Sequence, residues 1–280
     1  MGEMDLRRYW FRRTDTLGFS PLAPFEGVAP GHVERLRRST LRRALVRLRH
    51  LDIKPADVAL ASYPRSGNTW AKQMLGDLLA ERELDRVEAE RLIPSVGFHH
   101  RAPAVAAGGG RLVKTHEPYR GEFTRAIYLV RDVRDVALSL FAVEEARSRP
   151  RESFAAFTED LAAGKTLGYG SWQTHVDSWL GAAGLDLLVL RYEDLLADPA
   201  RGVARMASFL GLDPDPAAVQ SVVRRHQAGV VRVAAHEREL ANPAFRGRRI
   251  AGAALERPPE LRPALEALAA ASPALRRFDY

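Results

Sequence analysis

The feature that most constrains this chain is the stretch from Asp57 to Leu75, which reads as strand, tight loop and helix. Val58 to Ala61 form a short apolar run, closed off by Pro64. From Thr69 onward, Trp70, Met74, Leu75, Leu78 and Leu79 recur at helical spacing. The turn between the two holds Pro64, Arg65, Ser66, Gly67 and Asn68. Such a loop at a helix N-terminus offers unpaired backbone N–H groups, a hydroxyl, a cation and the positive end of the helix dipole. Those are the means of holding a phosphate; the alternative is an ordinary strand–turn–helix unit with no ligand. The ATP-type pattern G-x-x-x-x-G-K-[ST] does not fit, because Asn68 rather than lysine follows Gly67.

What this unit can be part of is bounded by composition. A chain of 280 residues, 46% hydrophobic, is large enough to bury a full core as one domain. No apolar run reaches the roughly 18 residues of a membrane span, and the N-terminus lacks a signal peptide's apolar centre, so a soluble, cytoplasmic protein without stable membrane insertion is expected. The absence of cysteine excludes disulfides, thiolate metal sites and a cysteine nucleophile. The net charge is +7, yet Lys54, Lys72, Lys114 and Lys165 are the only lysines among 42 basic residues. No basic stripe interleaved with aromatics accompanies that arginine bias, so an anionic small molecule is expected as ligand and nucleic acid is not.

Further strands and helices follow the loop. Arg111 to Thr115 reads as a short strand that ends before Pro118 and leaves Lys114 and His116 at its C-terminal end. Ala126 to Val130 is the most strand-like run, closed by Arg131 and followed by a helix through Val136, Leu140 and Phe141. A cation at that strand end suits a phosphate better than a metal, so no catalytic Mg²⁺ is expected, and Asp132 and Asp135 read as complements to the helix dipole. Ser153 to Ala163 reads as a helix. Ser171 caps another that carries Trp172, His175, Val176 and Trp179 on one face, and His175 reads as a core histidine with a hydrogen-bond partner. Leu185 to Leu190 is a fourth strand, and Ala200 to Leu210, Pro216 to His226 and Pro259 to Ala271 read as helices. Residues 1–55 read as an aromatic-rich arm and a basic amphipathic helix, His32 to Leu51, expected to pack on the domain. No repeat or linker divides the chain, so 1–280 is read as a single domain.

Taken together, these segments resemble the sulfotransferases that use 3′-phosphoadenosine 5′-phosphosulfate (PAPS). Tyr63 to Trp70, Y-P-R-S-G-N-T-W, resembles their 5′-phosphosulfate loop, and Lys114-Thr115-His116 resembles the strand end that supplies the catalytic base. Tyr128 to Phe141 resembles the 3′-phosphate motif, whose arginine and serine match Arg131 and Ser139. Gly170-Ser171-Trp172 with His175 and Trp179 resembles a segment beside the acceptor pocket, and Arg191 to Leu195 resembles the turn whose tyrosine, here Tyr192, approaches the adenine. Three departures stand out. Arg65 replaces the loop's usual lysine. The C-terminal basic motif survives only as Arg248-Arg249, with Arg246 as another candidate, and lacks its tryptophan. The dimerisation motif of the animal enzymes is not visible, which leaves the oligomeric state open.

The resemblance implies a single α/β domain with a mostly parallel sheet flanked by helices. It also implies transfer of the sulfuryl group of PAPS to a hydroxyl or amine of a small-molecule acceptor, leaving adenosine 3′,5′-bisphosphate, with no metal. His116 is the expected base, suited to that role if it titrates near neutrality. Lys114 and Arg65 are the expected catalytic cations. Arg65, Ser66, Gly67, Asn68, Thr69, Trp70, Arg131, Ser139, Tyr192, Arg248 and Arg249 are the expected nucleotide contacts. Two readings stand beside it: a P-loop phosphotransferase with an unusual loop, and a nucleotide-binding protein without catalysis.

Overall fold

The computed structural model describes residues 46–146, 153–226 and 257–280. The N-terminal arm, most of the expected amphipathic helix, and the loop holding Arg246, Arg248 and Arg249 lie outside the described residues. Four strands form one parallel sheet: β1 (Val58–Ser62), β2 (Leu112–Thr115), β3 (Arg125–Val130) and β4 (Asp186–Arg191), in the spatial order β2-β1-β3-β4. The chain leaves β1 for one side and returns on the other. In such sheets a ligand crevice opens outside the C-terminal end of the strand where the winding reverses, here β1.

Side-chain alternation along the strands makes the layers. Ala59, Ala61, Val113, Tyr128 and Val130 face one core, shared with α3 (Val133–Ala146), α4 (Phe154–Ala162), α5 (Trp172–Leu180) and α8 (Arg262–Ala270). Val58, Leu60, Leu112, Ile127, Leu129 and Leu190 face the other, shared with α1 (Asn68–Ala80), α7 (Pro199–Phe209) and the helical residues 216–226. Burial on both faces explains why β1 and β3 read as continuous apolar runs. Two short helices, α2 (Arg86–Leu92) and α6 (Tyr192–Ala197), complete the connections.

The helix bounds follow local chemistry. Ser171 and Ser153 cap α5 and α4 by accepting the backbone N–H of Thr174 and Ala156. α1 stops at Ala80, one residue past the last of the apolar positions that recur at helical spacing. Glu81 turns to φ 55°, and the inward carboxylate of Asp77 accepts the N–H of Leu84 at 2.9 Å, which folds the chain back. The sheet is also longer at one edge than the alternation indicates. Pro94 to Val96 lie parallel to β2, with Lys114 N–H bonded to Pro94 O and Val96 N–H to Lys114 O, each at 2.8 Å. Both backbone groups of Lys114 are therefore held by this segment.

Candidate functional site

Parallel register places four turns on one edge. Ala61 pairs with Thr115, Ser62 with Leu129 and Val130 with Arg191, so Tyr63, His116, Arg131 and Tyr192 leave the sheet side by side. The loop after β1 is bent sharply. Arg65 takes a left-handed φ of 69° and Gly67 one of 88°, which aims the first-turn N–H groups of α1 outward. At Gly67 a Cβ would sit 2.4 Å from the ring of Tyr192, so that position needs glycine for contact as well as for conformation.

The loop is joined to its neighbours by its own arginine. Arg65 Nε–H donates to Ser139 Oγ at 2.9 Å, and Arg131 donates to the Arg65 carbonyl at 3.1 Å. The Arg131 guanidinium lies 4.4 Å over the Tyr192 ring, and Trp70 meets that ring edge-on at 6.2 Å. Residues matched in sequence from three separate segments thus converge. Thr69 is exposed beside them. The side chain of Asn68 faces the other way, into the sheet, where its amide donates to Leu60 O, Ser62 Oγ and Thr115 O at 3.0, 3.2 and 3.4 Å. Its carboxamide therefore knits β1 to the end of β2, and only its backbone N–H points with the loop.

Buried polar atoms without partners cost stability unless something satisfies them. Ser66 Oγ, Arg131 Nε and Trp70 Nε1 are such atoms, and all three belong to this loop and its facing turns. Three groups able to donate, beside a helix N-terminus and the Arg65 guanidinium, fit an anionic nucleotide.

His116 stands one residue past β2. Its Nδ1 lies 2.9 Å from the Ser62 carbonyl and 3.3 Å from Ser62 Oγ. A carbonyl can only accept, so Nδ1 carries the proton and Nε2 presents its lone pair. A cavity beside it is lined by Ser95, Val96, Glu117, Tyr169 and Lys114, with the Tyr169 ring 6.1 Å from the imidazole. Burial first, then the charges of Lys114, His175 and Arg65, pull the His116 pKa down to about 3. This differs from the near-neutral titration expected from sequence; neighbouring cations in a poorly hydrated site disfavour a second proton.

The face of α5 does something the sequence did not disclose. Trp172 Nε1–H donates to Arg131 O, His175 Nε2–H to His116 O and Trp179 Nε1–H to Glu117 O, each at 3.1 Å. Tyr63 adds a bond to Gly170 O at 3.0 Å. His175 is fully satisfied, since its Nδ1 accepts the Tyr128 hydroxyl at 2.9 Å, and burial holds its pKa down to about 4. The aromatic spacing was the available signal, but it indicated only a buried face.

The stretch 55–233 matches the family model described as the sulfotransferase domain. The chain belongs to the sulfotransferase family. Among its relatives, Sulfotransferase 1A1 of Bos taurus is 29% identical over 201 residues, covering 65% of this chain and 68% of the relative. Sulfotransferase 1E1 of Rattus norvegicus is 26% identical over 191 residues, covering 61% and 64%. About a third of each relative therefore lies outside the match. A crystal structure of retinol dehydratase in complex with androsterone and the inactive cofactor PAP shares the fold, with a TM-score of 0.55 at 19% identity, covering 80% of this chain and 82% of that one. No helix among the described residues of this sulfotransferase is long and apolar enough to cross a membrane.

Proposed function

We propose that this sulfotransferase moves the sulfuryl group of PAPS to a hydroxyl or amine of a small-molecule acceptor and releases adenosine 3′,5′-bisphosphate. The observation that carries the reading is the meeting of Arg65, Ser139, Arg131 and Tyr192 beside a histidine that lines a cavity and whose Nδ1 is held by the Ser62 carbonyl. PAPS, when bound, supplies the sulfuryl group and a phosphate leaving group. His116 Nε2 takes the acceptor proton as the new bond to sulfur forms and the bond to the phosphate oxygen breaks. Lys114 and Arg65 place positive charge where the leaving phosphate gains negative charge. An anion between those cations offsets the charges of Lys114 and Arg65 that act on His116.

Arg131 and Ser139 are the proposed readers of the 3′-phosphate, with Arg248 and Arg249 as the candidates from the C-terminal loop. Trp70 and Tyr192 are the proposed walls for adenine. The acceptor is proposed to be an apolar or aromatic small molecule, with Val96 and Tyr169 as its apolar contacts beside His116 in a lining that also holds Arg49, Ser95, Lys114 and Glu117. The test is a screen of hydroxyl- and amine-bearing acceptors with ³⁵S-labelled PAPS in EDTA. Labelled product is expected. Mg²⁺-dependent ATP turnover without PAPS turnover would favour a phosphotransferase, and nucleotide binding without turnover across the panel would leave a binding protein.

A further inference from the structure

Residues 257–280 lie beyond the matched stretch, yet their two ends reach the nucleotide turns. Between those ends, α8 and a 3₁₀ turn over Pro273–Phe278 pack on α3, α4 and α5. At one end the Arg257 guanidinium bonds Asp132 Oδ2 at 2.7 Å and Asp135 Oδ1 at 3.2 Å. At the other the Tyr280 hydroxyl donates to Glu193 Oε2, with its ring 4.7 Å beneath the Arg191 guanidinium. The two are linked, because Glu193 Oε1 accepts the N–H of Asp132 at 3.2 Å.

The positions gripped are the informative part. Asp132 follows Arg131, and Glu193 follows Tyr192, the cation and ring that stack at 4.4 Å. Asp132 and Asp135 are 4% and 1% exposed, and a carboxylate buried to that degree needs its ion partners to stay in place. Arg134 meets the Asp132 carboxylate at 2.5 Å from its own turn, whereas Arg257 meets it from a distant part of the chain. On the other side burial raises the pKa of both Glu193 and Tyr280, which keeps the phenol a proton donor.

We infer that residues 257–280 brace the nucleotide site. Arg257 and Tyr280 are positioning residues that set Arg131 against Tyr192 and thereby fix the affinity for a 3′-phosphorylated adenine nucleotide. The inference rests on the donor assignment above.

The test is calorimetric titration of the full chain with adenosine 3′,5′-bisphosphate, for the wild type, Tyr280→Phe, Arg257→Gln and Arg257→Lys. Tyr280→Phe keeps the ring and removes one hydrogen bond, and is expected to weaken binding about fivefold; Arg257→Gln loses a charged contact and is expected to weaken it about tenfold or more. Arg257→Lys recovers part of that loss. In steady state the KM for PAPS rises in step while kcat falls less than twofold, a split that general destabilisation of the fold does not produce. Should Tyr280→Phe fail to fold, the two Arg257 variants carry the test. Folded variants that bind as tightly as the wild type overturn the brace alone. A wild type that does not bind the bisphosphate overturns the donor assignment, and the brace with it.

Discussion

His116 and His175 occupy the two halves of the site, and burial depresses both. His116 lies at the open edge of the sheet and spends one nitrogen on a backbone carbonyl, which leaves the other for chemistry. His175 lies on α5, under that edge, and spends both nitrogens on Tyr128 and the His116 carbonyl. The same side chain is therefore the proposed proton acceptor in one place and a strut in the other. What separates the roles is the number of ring nitrogens already committed, since low pKa and burial are common to both.

The comparison breaks most sharply at His116. His116→Ala should lower kcat about 10²–10⁴-fold while the Kd for adenosine 3′,5′-bisphosphate stays within about twofold. A loss of nucleotide affinity as large as the loss in rate would make His116 a strut as well. His175→Ala should do the reverse, costing about 2–4 kcal/mol in denaturant unfolding, because it opens a cavity and strands the Tyr128 hydroxyl and a carbonyl. Arg131→Ala should weaken binding of adenosine 3′,5′-bisphosphate by about 1.5–3 kcal/mol and leave adenosine 5′-monophosphate nearly unaffected. Equal losses for both ligands would move Arg131 away from the 3′-phosphate.

A separate effect is in pH. His99, His116 and His175 all have folded-state pKa values pulled below the ordinary 6.5, to about 4, 3 and 4. Between those values and 6.5 the unfolded chain binds more protons, so stability rises with pH there and falls on acidification. The melting temperature should drop as pH goes from 7 to 5, and His175→Gln should flatten that slope. A melting temperature independent of pH over this range would show that the imidazoles are not held neutral by the fold.

Much of this was legible in the chain. Pro64 to Asn68 between an apolar run and a helical period gave the loop, Pro118 bounded β2 and so located His116, and Ser171 marked the start of α5. These are local signals, in which the residue that carries the information also forms the element. What was not legible is long-range. The bond from Arg65 to Ser139 spans 74 residues, that from Trp179 to the Glu117 carbonyl spans 62, and nothing in either neighbourhood specifies a partner. The inward turn of the Asn68 side chain depends on where three strand-end acceptors happen to lie. The depressed pKa of His116 depends on charges brought in from Lys114 and Arg65.

The three ring N–H donors of α5 also bear on how the molecule acquires its site. They close on carbonyls from the ends of β2 and β3, and the sheet itself is built wholly from parallel pairs distant in sequence. Contacts of that range form slowly, because loop closure must precede them. A chain that has paired its strands but not yet docked α5 has the loop after β1, while the turns carrying Arg131 and His116 still lack their tethers. Catalytic competence is thus expected to emerge late in refolding, after the far-ultraviolet signal of the sheet and in step with burial of Trp172 and Trp179, which fluorescence follows in a chain whose Trp10 and Trp70 are replaced by phenylalanine.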